Sequence, residues 1–151
     1  MKYRILAVDD DASVARVVQY LLEEEGHVVT VVADIAGAKR EFASGQFDLV
    51  VTDLQLPDGS GLEMVRFVKE ISPDVPVLMI TAFATVQTAV EAMKSGAFDY
   101  LTKPFENDRF KALVANALRL RDLKLENVRL RDEVVGRFGL NVIVGSSPRM
   151  G

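Results

Sequence analysis

Cysteine is absent from the 151-residue chain, and histidine occurs once, as His27. Without cysteine there is no disulfide framework and no thiolate metal site, a composition that suits a reducing cytosol. No apolar run approaches the length needed to span a bilayer. The opening MKYRILAVDD reaches two aspartates before its apolar run is long enough for a signal peptide. A soluble, unexported, cytoplasmic protein with no membrane partner is therefore expected. An excess of basic residues is also lacking: 18 Lys and Arg stand against 22 Asp and Glu, a net charge of -4. That balance argues against broad attraction to nucleic acid, so any DNA binding is expected to reside outside these residues. There is no internal repeat and no low-complexity tract. Neither a G-x-G-x-x-G turn nor a P-loop follows the first apolar run, which argues against a nucleotide- or flavin-binding module.

What is present is enough for one domain of ordinary size plus an appendage, with 49% hydrophobic and 26% charged residues. Five short apolar runs read as buried strands: Arg4 to Val8, Val28 to Val32, Asp48 to Thr52, Pro76 to Ile80 and Phe98 to Thr102. Helical spacing fills the intervals. Val14, Val17, Val18, Leu21 and Leu22 share a face of the first helix, and Val86, Ala89, Val90 and Met93 share a face of the fourth, each expected to be buried. Gly26, Gly45 and Gly96 stand where three helices should stop, in the left-handed conformation that glycine tolerates. Strict strand-helix alternation predicts right-handed crossovers and a doubly wound α/β domain built on a five-stranded parallel sheet. The flavodoxin-like strand order 2-1-3-4-5 is expected.

In such sheets ligands bind beyond the carboxyl ends of the strands, where the strand order reverses. Asp9 and Asp10 follow strand one, Asp53 strand three, Thr81 strand four and Lys103 strand five. Strand two ends in Ala33 and Asp34 without a comparable cluster, as befits an edge strand. With strands one and three adjacent, three carboxylates share a pocket. Two like charges about 4 Å apart repel by roughly 4 kcal/mol at an effective dielectric of 20, so a cation is called for. Oxygen-only ligands favour Mg²⁺. Lys103 adds a positive charge for phosphate oxygens and Thr81 a hydroxyl, a set suited to phosphoryl transfer. Asp53 is the expected nucleophile, because it stands alone at a strand end ahead of a loop with Pro57, Gly59 and Gly61. Taken singly, each residue has a plainer reading: Asp11 as the cap of helix one, Thr81 as the cap of helix four, Lys103 as a surface lysine, His27 as a strand-entry residue.

Through VDD at Val8 to Asp10, TDLQLPDGSG at Thr52 to Gly61, ITA at Ile80 to Ala82 and YLTKPF at Tyr100 to Phe105, the chain resembles the receiver domains of bacterial response regulators over residues 3 to 120. The resemblance implies Asp53 as phosphoacceptor for a sensor histidine kinase. It implies Mg²⁺ held by Asp10 and Asp53, by Asp9 through water and by the carbonyl of Gln55. It further implies a switch pair of Thr81 and Tyr100, Lys103 on the phosphate, and a cis Lys103-Pro104 bond. It points to a domain that phosphorylates and dephosphorylates itself rather than to an enzyme. The stretch TAFATVQTAVEAMKSGAFDYLTKPF looks like the NtrC type. LNVIVGSSPRM, Leu140 to Met150, resembles the lead-in to the AAA+ ATPase domain of sigma-54-dependent activators. The resulting division is a receiver at 1-120, a helical linker at 121-138 and the start of a truncated AAA+ domain at 139-151. No Walker A loop is reached, so no ATPase activity is expected of this fragment. Sigma-54 RNA polymerase and DNA are implied as partners of a longer regulator. The main alternative is a small Mg²⁺-dependent phosphatase of the haloacid-dehalogenase class, disfavoured because Gln55 stands where the second acid would be needed.

The last helix is expected to continue as a dimerising linker, because Asn107 to Val135 contains neither glycine nor proline, a span of roughly 40 Å, and nothing ends it before Gly136. Leu113, Leu120, Asn127 and Val134 fall at one heptad position and Asn116, Leu123 and Leu130 at the other. In a parallel dimer Glu126 could pair with Arg131 of the second copy, whereas Arg119 and Lys124 would repel in the same register. The face of helix four, strand five and helix five is a second candidate contact between copies.

Overall fold

A computed structural model of the chain describes residues 2–138, with side chains through residue 126. Strands β1 (Arg4–Val8), β2 (Val28–Val32), β3 (Leu49–Asp53), β4 (Val77–Thr81) and β5 (Asp99–Thr102) alternate with helices α1 (Ala12–Glu24), α2 (Ile35–Ser44), α3 (Gly61–Ile71), α4 (Val86–Ser95) and α5 (Asn107–Phe138). The sheet runs β2-β1-β3-β4-β5. Its neighbouring strands are all parallel, as expected from sequence. A two-residue antiparallel ribbon, Gln55–Leu56 against Gly59–Ser60, lies between β3 and α3.

Strand alternation divides the interior into two cores. Leu6, Val8, Val50 and Met79 face Ile35, Ala38 and Phe42 of α2 and Met64, Val65 and Val68 of α3. Ile5, Ala7, Leu49, Val51, Leu78 and Ile80 face Val18, Leu21 and Leu22 of α1 and Phe110, Val114, Ala117 and Leu118 of α5. Successive side chains of a strand point to opposite faces, so a sheet covered on both sides needs apolar residues throughout, as β3 and β4 have. Their carboxyl-end residues are the exception, and there the polar groups gather.

Several boundaries and faces differ from the sequence-based expectation. Asp53 and Thr81 are the last residues of β3 and β4, not the first beyond them, because Asp53 pairs with Ile80 and Thr81 with Thr102. Asp48 and Pro76 drop out at the other ends. Asp48 turns its carboxylate to the Arg4 amide at 2.9 Å, and proline has no N–H to give the ladder. On α1, Val17 is 44% exposed, and Ala15 completes the buried face instead. On α4 the expected inward stripe points outward: Val86 is 84% exposed, Val90 45% and Met93 48%, and Ala92 is the one buried residue of the helix. Its small side chain lets this helix approach the body closely. Gly45 closes α2 in an extended conformation, unlike left-handed Gly26 and Gly96; a Cβ there would stand 3.0 Å from the Phe47 ring. Helix α5 also passes Gly136 and runs to Phe138. A single glycine costs a helix about 1 kcal/mol, too little to stop it. The expected AAA+ start at 139-151 lies outside the described residues.

At the amino end of the sheet His27 packs beside Tyr3, ring centroids 5.5 Å apart, and its buried Nδ1 has no hydrogen-bond partner among the described residues. Burial holds the imidazole below its ordinary pKa, against the opposing pull of Glu25 and Asp48. In the unfolded chain the group protonates near its ordinary value, about 6.5. Below that pH the unfolded state binds the additional proton, so stability falls as pH drops. His27→Phe keeps the ring contact and is expected to flatten the pH dependence of the urea midpoint below about pH 6.5; an unchanged slope would contradict this assignment.

Candidate functional site

Parallel strands present their carboxyl ends together, and the strand order brings Asp9, at the end of β1, beside Asp53, at the end of β3. Carboxylate oxygens of Asp9, Asp10 and Asp53 lie within 4.8 Å of one another, with Asp9 and Asp53 buried and Asp10 exposed. Lys103 reaches this group from the residue after β5. Its Nζ donates to Asp9 Oδ2 and to Asp53 Oδ2, both at 2.9 Å. The surface-lysine reading of Lys103 is thereby replaced. The Lys103-Pro104 bond is cis.

The second carboxylate oxygens of Asp9 and Asp53 are also engaged. Asp9 Oδ1 accepts the Asp11 amide at 2.9 Å, and Asp53 Oδ1 accepts the Gln55 amide at 3.3 Å. Burial pushes the Asp9 carboxyl above its ordinary pKa, although the Asp11 amide and Lys103 act the other way. For Lys103 burial acts to lower the pKa, but the hydrogen bonds and charges of Asp9 and Asp53 hold the ammonium above its ordinary value. Lys103 is therefore a fixed cation across the neutral range. One ammonium leaves three converging carboxylates undercompensated, and an all-oxygen donor set of this kind fits a hard divalent cation such as Mg²⁺.

Local chemistry explains why these residues hold their places. Asp11 caps α1, accepting from the Ser13 and Val14 amides at 3.0 and 3.4 Å, and so aligns the turn that carries Asp9 and Asp10. Thr81 does not cap α4. Its buried Oγ1 accepts the Phe83 amide at 3.0 Å, and Thr85 is the cap, in a reciprocal box with Thr88. The structure does not bring Tyr100 to the carboxylates. Its hydroxyl lies 3.0 Å from Thr88 Oγ1, half-buried between β5 and α4.

Three residues escaped the sequence reading. Thr88 is legible only weakly, as the fourth residue of a T-x-x-T box. Asp58 accepts the Ile35 and Ala36 amides at 2.9 and 3.0 Å, which hold its carboxyl below the ordinary range. Nothing local announces partners 22 and 23 residues away. Gly61 reads from sequence only as a residue of the loop after Asp53, yet a Cβ there would stand 2.0 Å from the carbonyl oxygen of Asp53.

Residues 5–115 match the family model of the response regulator receiver domain. The chain is 37% identical over 135 residues to the response regulator protein PilR of Pseudomonas aeruginosa, covering 89% of this chain and 30% of that protein. It is 37% identical over 126 residues to the DNA-binding transcriptional regulator NtrC of Rhizobium meliloti, covering 82% and 26%. The chain thus spans about a third or less of the length of these relatives. Among solved structures, the beryllofluoride-activated NtrC4 receiver domain dimer matches with a TM-score of 0.75 at 36% identity, covering 78% of this chain and 98% of that one. NtrX from Brucella abortus in complex with ADP matches with a TM-score of 0.81 at 32% identity, covering 86% and 30%.

Proposed function

The chain belongs to the response regulator receiver domain family and is of the NtrC type, and we propose that it accepts a phosphoryl group on Asp53 from a sensor histidine kinase. The observation that carries this reading is the convergence of Asp9, Asp10, Asp53 and the Lys103 ammonium at the carboxyl ends of three strands. An Asp53 carboxylate oxygen attacks phosphorus, the bond from phosphorus to the donor's leaving atom breaks, and an acyl phosphate remains on Asp53. Asp53, Asp10, the Gln55 carbonyl and, through water, Asp9 would hold Mg²⁺, which when bound neutralises the phosphoryl oxygens. Lys103 then turns its ammonium to the phosphate, and this requires it to share its two present contacts. The haloacid-dehalogenase alternative is set aside, since the family match goes to receivers and Gln55 offers no acid for a leaving group.

The proposed switch follows from what Thr81 and Tyr100 would give up. For Thr81 to reach the phosphate, its hydroxyl leaves the Phe83 amide; for Tyr100 to turn inward, its hydroxyl leaves Thr88. Both bonds touch the start of α4, where Phe83, just before the helix, and Val86, Val90 and Met93 on it are already exposed. We therefore place a phosphorylation-dependent contact, with a second copy or with an output domain, on the α4-β5-α5 face.

Dimerisation through the α5 linker is the second proposed contact. Leu120 and Leu123 are exposed, 44% and 54%, but Leu113 packs on the α1-α5 core and Asn116 accepts from Arg119 at 2.7 Å. Asn127, Leu130, Arg131 and Val134 lie outside the residues whose side chains are described. The proposed division stays at 1-120, 121-138 and 139-151. Sigma-54 RNA polymerase and DNA are proposed partners of a longer cytoplasmic regulator. Among the described residues no helix is long and apolar enough to cross a membrane.

Incubation with Mg²⁺ and acetyl phosphate tests the reading. A receiver gains one labile phosphoryl group by intact mass, a phosphatase turns over without retaining it, and a cofactor module stays unmodified. Asp10→Ala is expected to weaken Mg²⁺ binding by about tenfold or more and to slow phosphorylation; unaltered Mg²⁺ affinity would remove Asp10 from the site.

A further inference from the structure

We infer that Asp58 is a positioning residue for the metal site, acting by anchoring the loop after Asp53 to the amino terminus of α2. This rests on the proposed Mg²⁺ site and names a residue beyond the converging carboxylates and lysine. Asp58 does not touch the acidic cluster. Its two carboxylate oxygens accept the Ile35 and Ala36 amides, two of the donors that the first turn of α2 cannot satisfy internally. The helix has its own cap in Asp34, whose Oδ1 takes the Gly37 amide at 2.7 Å, so Asp58 is an additional carboxylate reaching across from another segment. A two-point attachment fixes orientation as well as distance.

The anchored segment is short and leads directly to the site. Asp58 is at the turn of the ribbon in which Gln55 pairs with Ser60 and Leu56 with Gly59. Gly59 sits so close to Ile35 that a Cβ would stand 2.9 Å from Ile35 Cδ1, which seats the same turn on α2 a second time. At the other end, Gln55 donates its amide to Asp53 Oδ1, and Gly61 donates its amide to the Leu54 carbonyl at 2.6 Å. The ribbon is thus held at the α2 end by Asp58 and at the site end by Asp53. Gln55, whose carbonyl is the proposed metal ligand, lies between the two anchors. Releasing Asp58 frees the turn, and the Gln55 peptide becomes one of many orientations of a loop that must be reordered each time a cation binds.

The test is titration of the metal-free protein with Mg²⁺, followed by the amide resonances of Asp53, Leu54 and Gln55. Asp58→Ala is expected to weaken Mg²⁺ affinity by about tenfold. Asp58→Asn, which keeps one acceptor oxygen, is expected to fall between it and the wild type. Asp34→Ala removes a cap from the same helix without touching the ribbon, and should leave the affinity within about twofold. In the metal-free state the Gln55 amide of Asp58→Ala should exchange with solvent faster than that of Asp34→Ala. Wild-type Mg²⁺ affinity in both Asp58 variants, or an equal loss in Asp34→Ala, would overturn the inference. The phosphoacceptor reading is separable. Asp58→Ala should still gain a full phosphoryl group at saturating Mg²⁺, whereas a wild type that gains none refutes the function and not this positioning role.

Discussion

Asp53→Asn is expected to abolish the phosphoryl adduct while leaving the fold as stable as before. Asparagine keeps an oxygen for the Gln55 amide but has no carboxylate to attack phosphorus. The effect on stability is the sum of two electrostatic changes of comparable size. The Asp53 contact with Lys103 at 2.9 Å is lost, and so is the repulsion from Asp9 and Asp10, whose oxygens lie within 4.8 Å. Each pairwise contribution is on the order of 4 kcal/mol at an effective dielectric of 20. One attraction and two repulsions are removed together, and Lys103 retains Asp9. The thermal midpoint without divalent cation is therefore expected not to fall, and Mg²⁺ affinity to drop by about 10- to 100-fold. Intact mass, thermal melting and Mg²⁺ titration on one preparation check all three. Full phosphorylation of the variant would remove Asp53 from the nucleophile's role, and a large loss of stability would show Asp53 to be structural.

The largest effect on the fold is expected from Gly61→Ala. The new Cβ would meet the Asp53 carbonyl oxygen at 2.0 Å, its carbon at 3.0 Å and Leu54 Cα at 3.2 Å. All three are backbone, and no side-chain rotation relieves the contact. Either α3 withdraws from the end of β3, opening the core at Met64 and Val65, or the chain at Asp53 and Leu54 shifts and the carboxylate leaves the cluster. Overpacking against a fixed backbone costs about 3 kcal/mol or more, a fall of roughly 10 °C in a domain of this size. Mg²⁺ binding should be lost along with it. Gly26→Ala separates steric clash from backbone strain: Gly26 has φ +92 with nothing within 4 Å of its Cβ, so its cost should stay near 1–2 kcal/mol and its Mg²⁺ affinity unchanged. Equal destabilisation by the two substitutions, or an unaltered Mg²⁺ site in Gly61→Ala, would contradict the close approach.

The sheet, its strand order and the acidic cluster were legible because each rests on a local signal. Apolar runs mark strands covered on both faces, and polar residues directly after them mark the end where a doubly wound sheet binds ligands. What was not legible depends on groups distant in sequence. Asp58 reads as a turn residue until Ile35 and Ala36 are brought beside it, and Gly61 reads as a loop residue until α3 is laid against Asp53. Helix α4 shows a different limit. Periodicity identified an apolar stripe correctly but could not say whether Val86, Val90 and Met93 face the body or solvent, since a stripe kept for a partner has the same period as one kept for the core. Tyr100 was legible only through resemblance, and its bond to Thr88 depends on how β5 and α4 are packed.

Site-resolved mass spectrometry of the wild-type chain after treatment with Mg²⁺ and acetyl phosphate tests the central claim most directly. Phosphorylation at Asp53 depends on the β1-β3 adjacency, the convergence of carboxylates and the reach of Lys103 together. The expected result is a single acyl phosphate, lost on omission of Mg²⁺ and located at Asp53 by fragmentation. An adduct on Asp9 or Asp10, or steady hydrolysis of acetyl phosphate with no adduct at any residue, would contradict it.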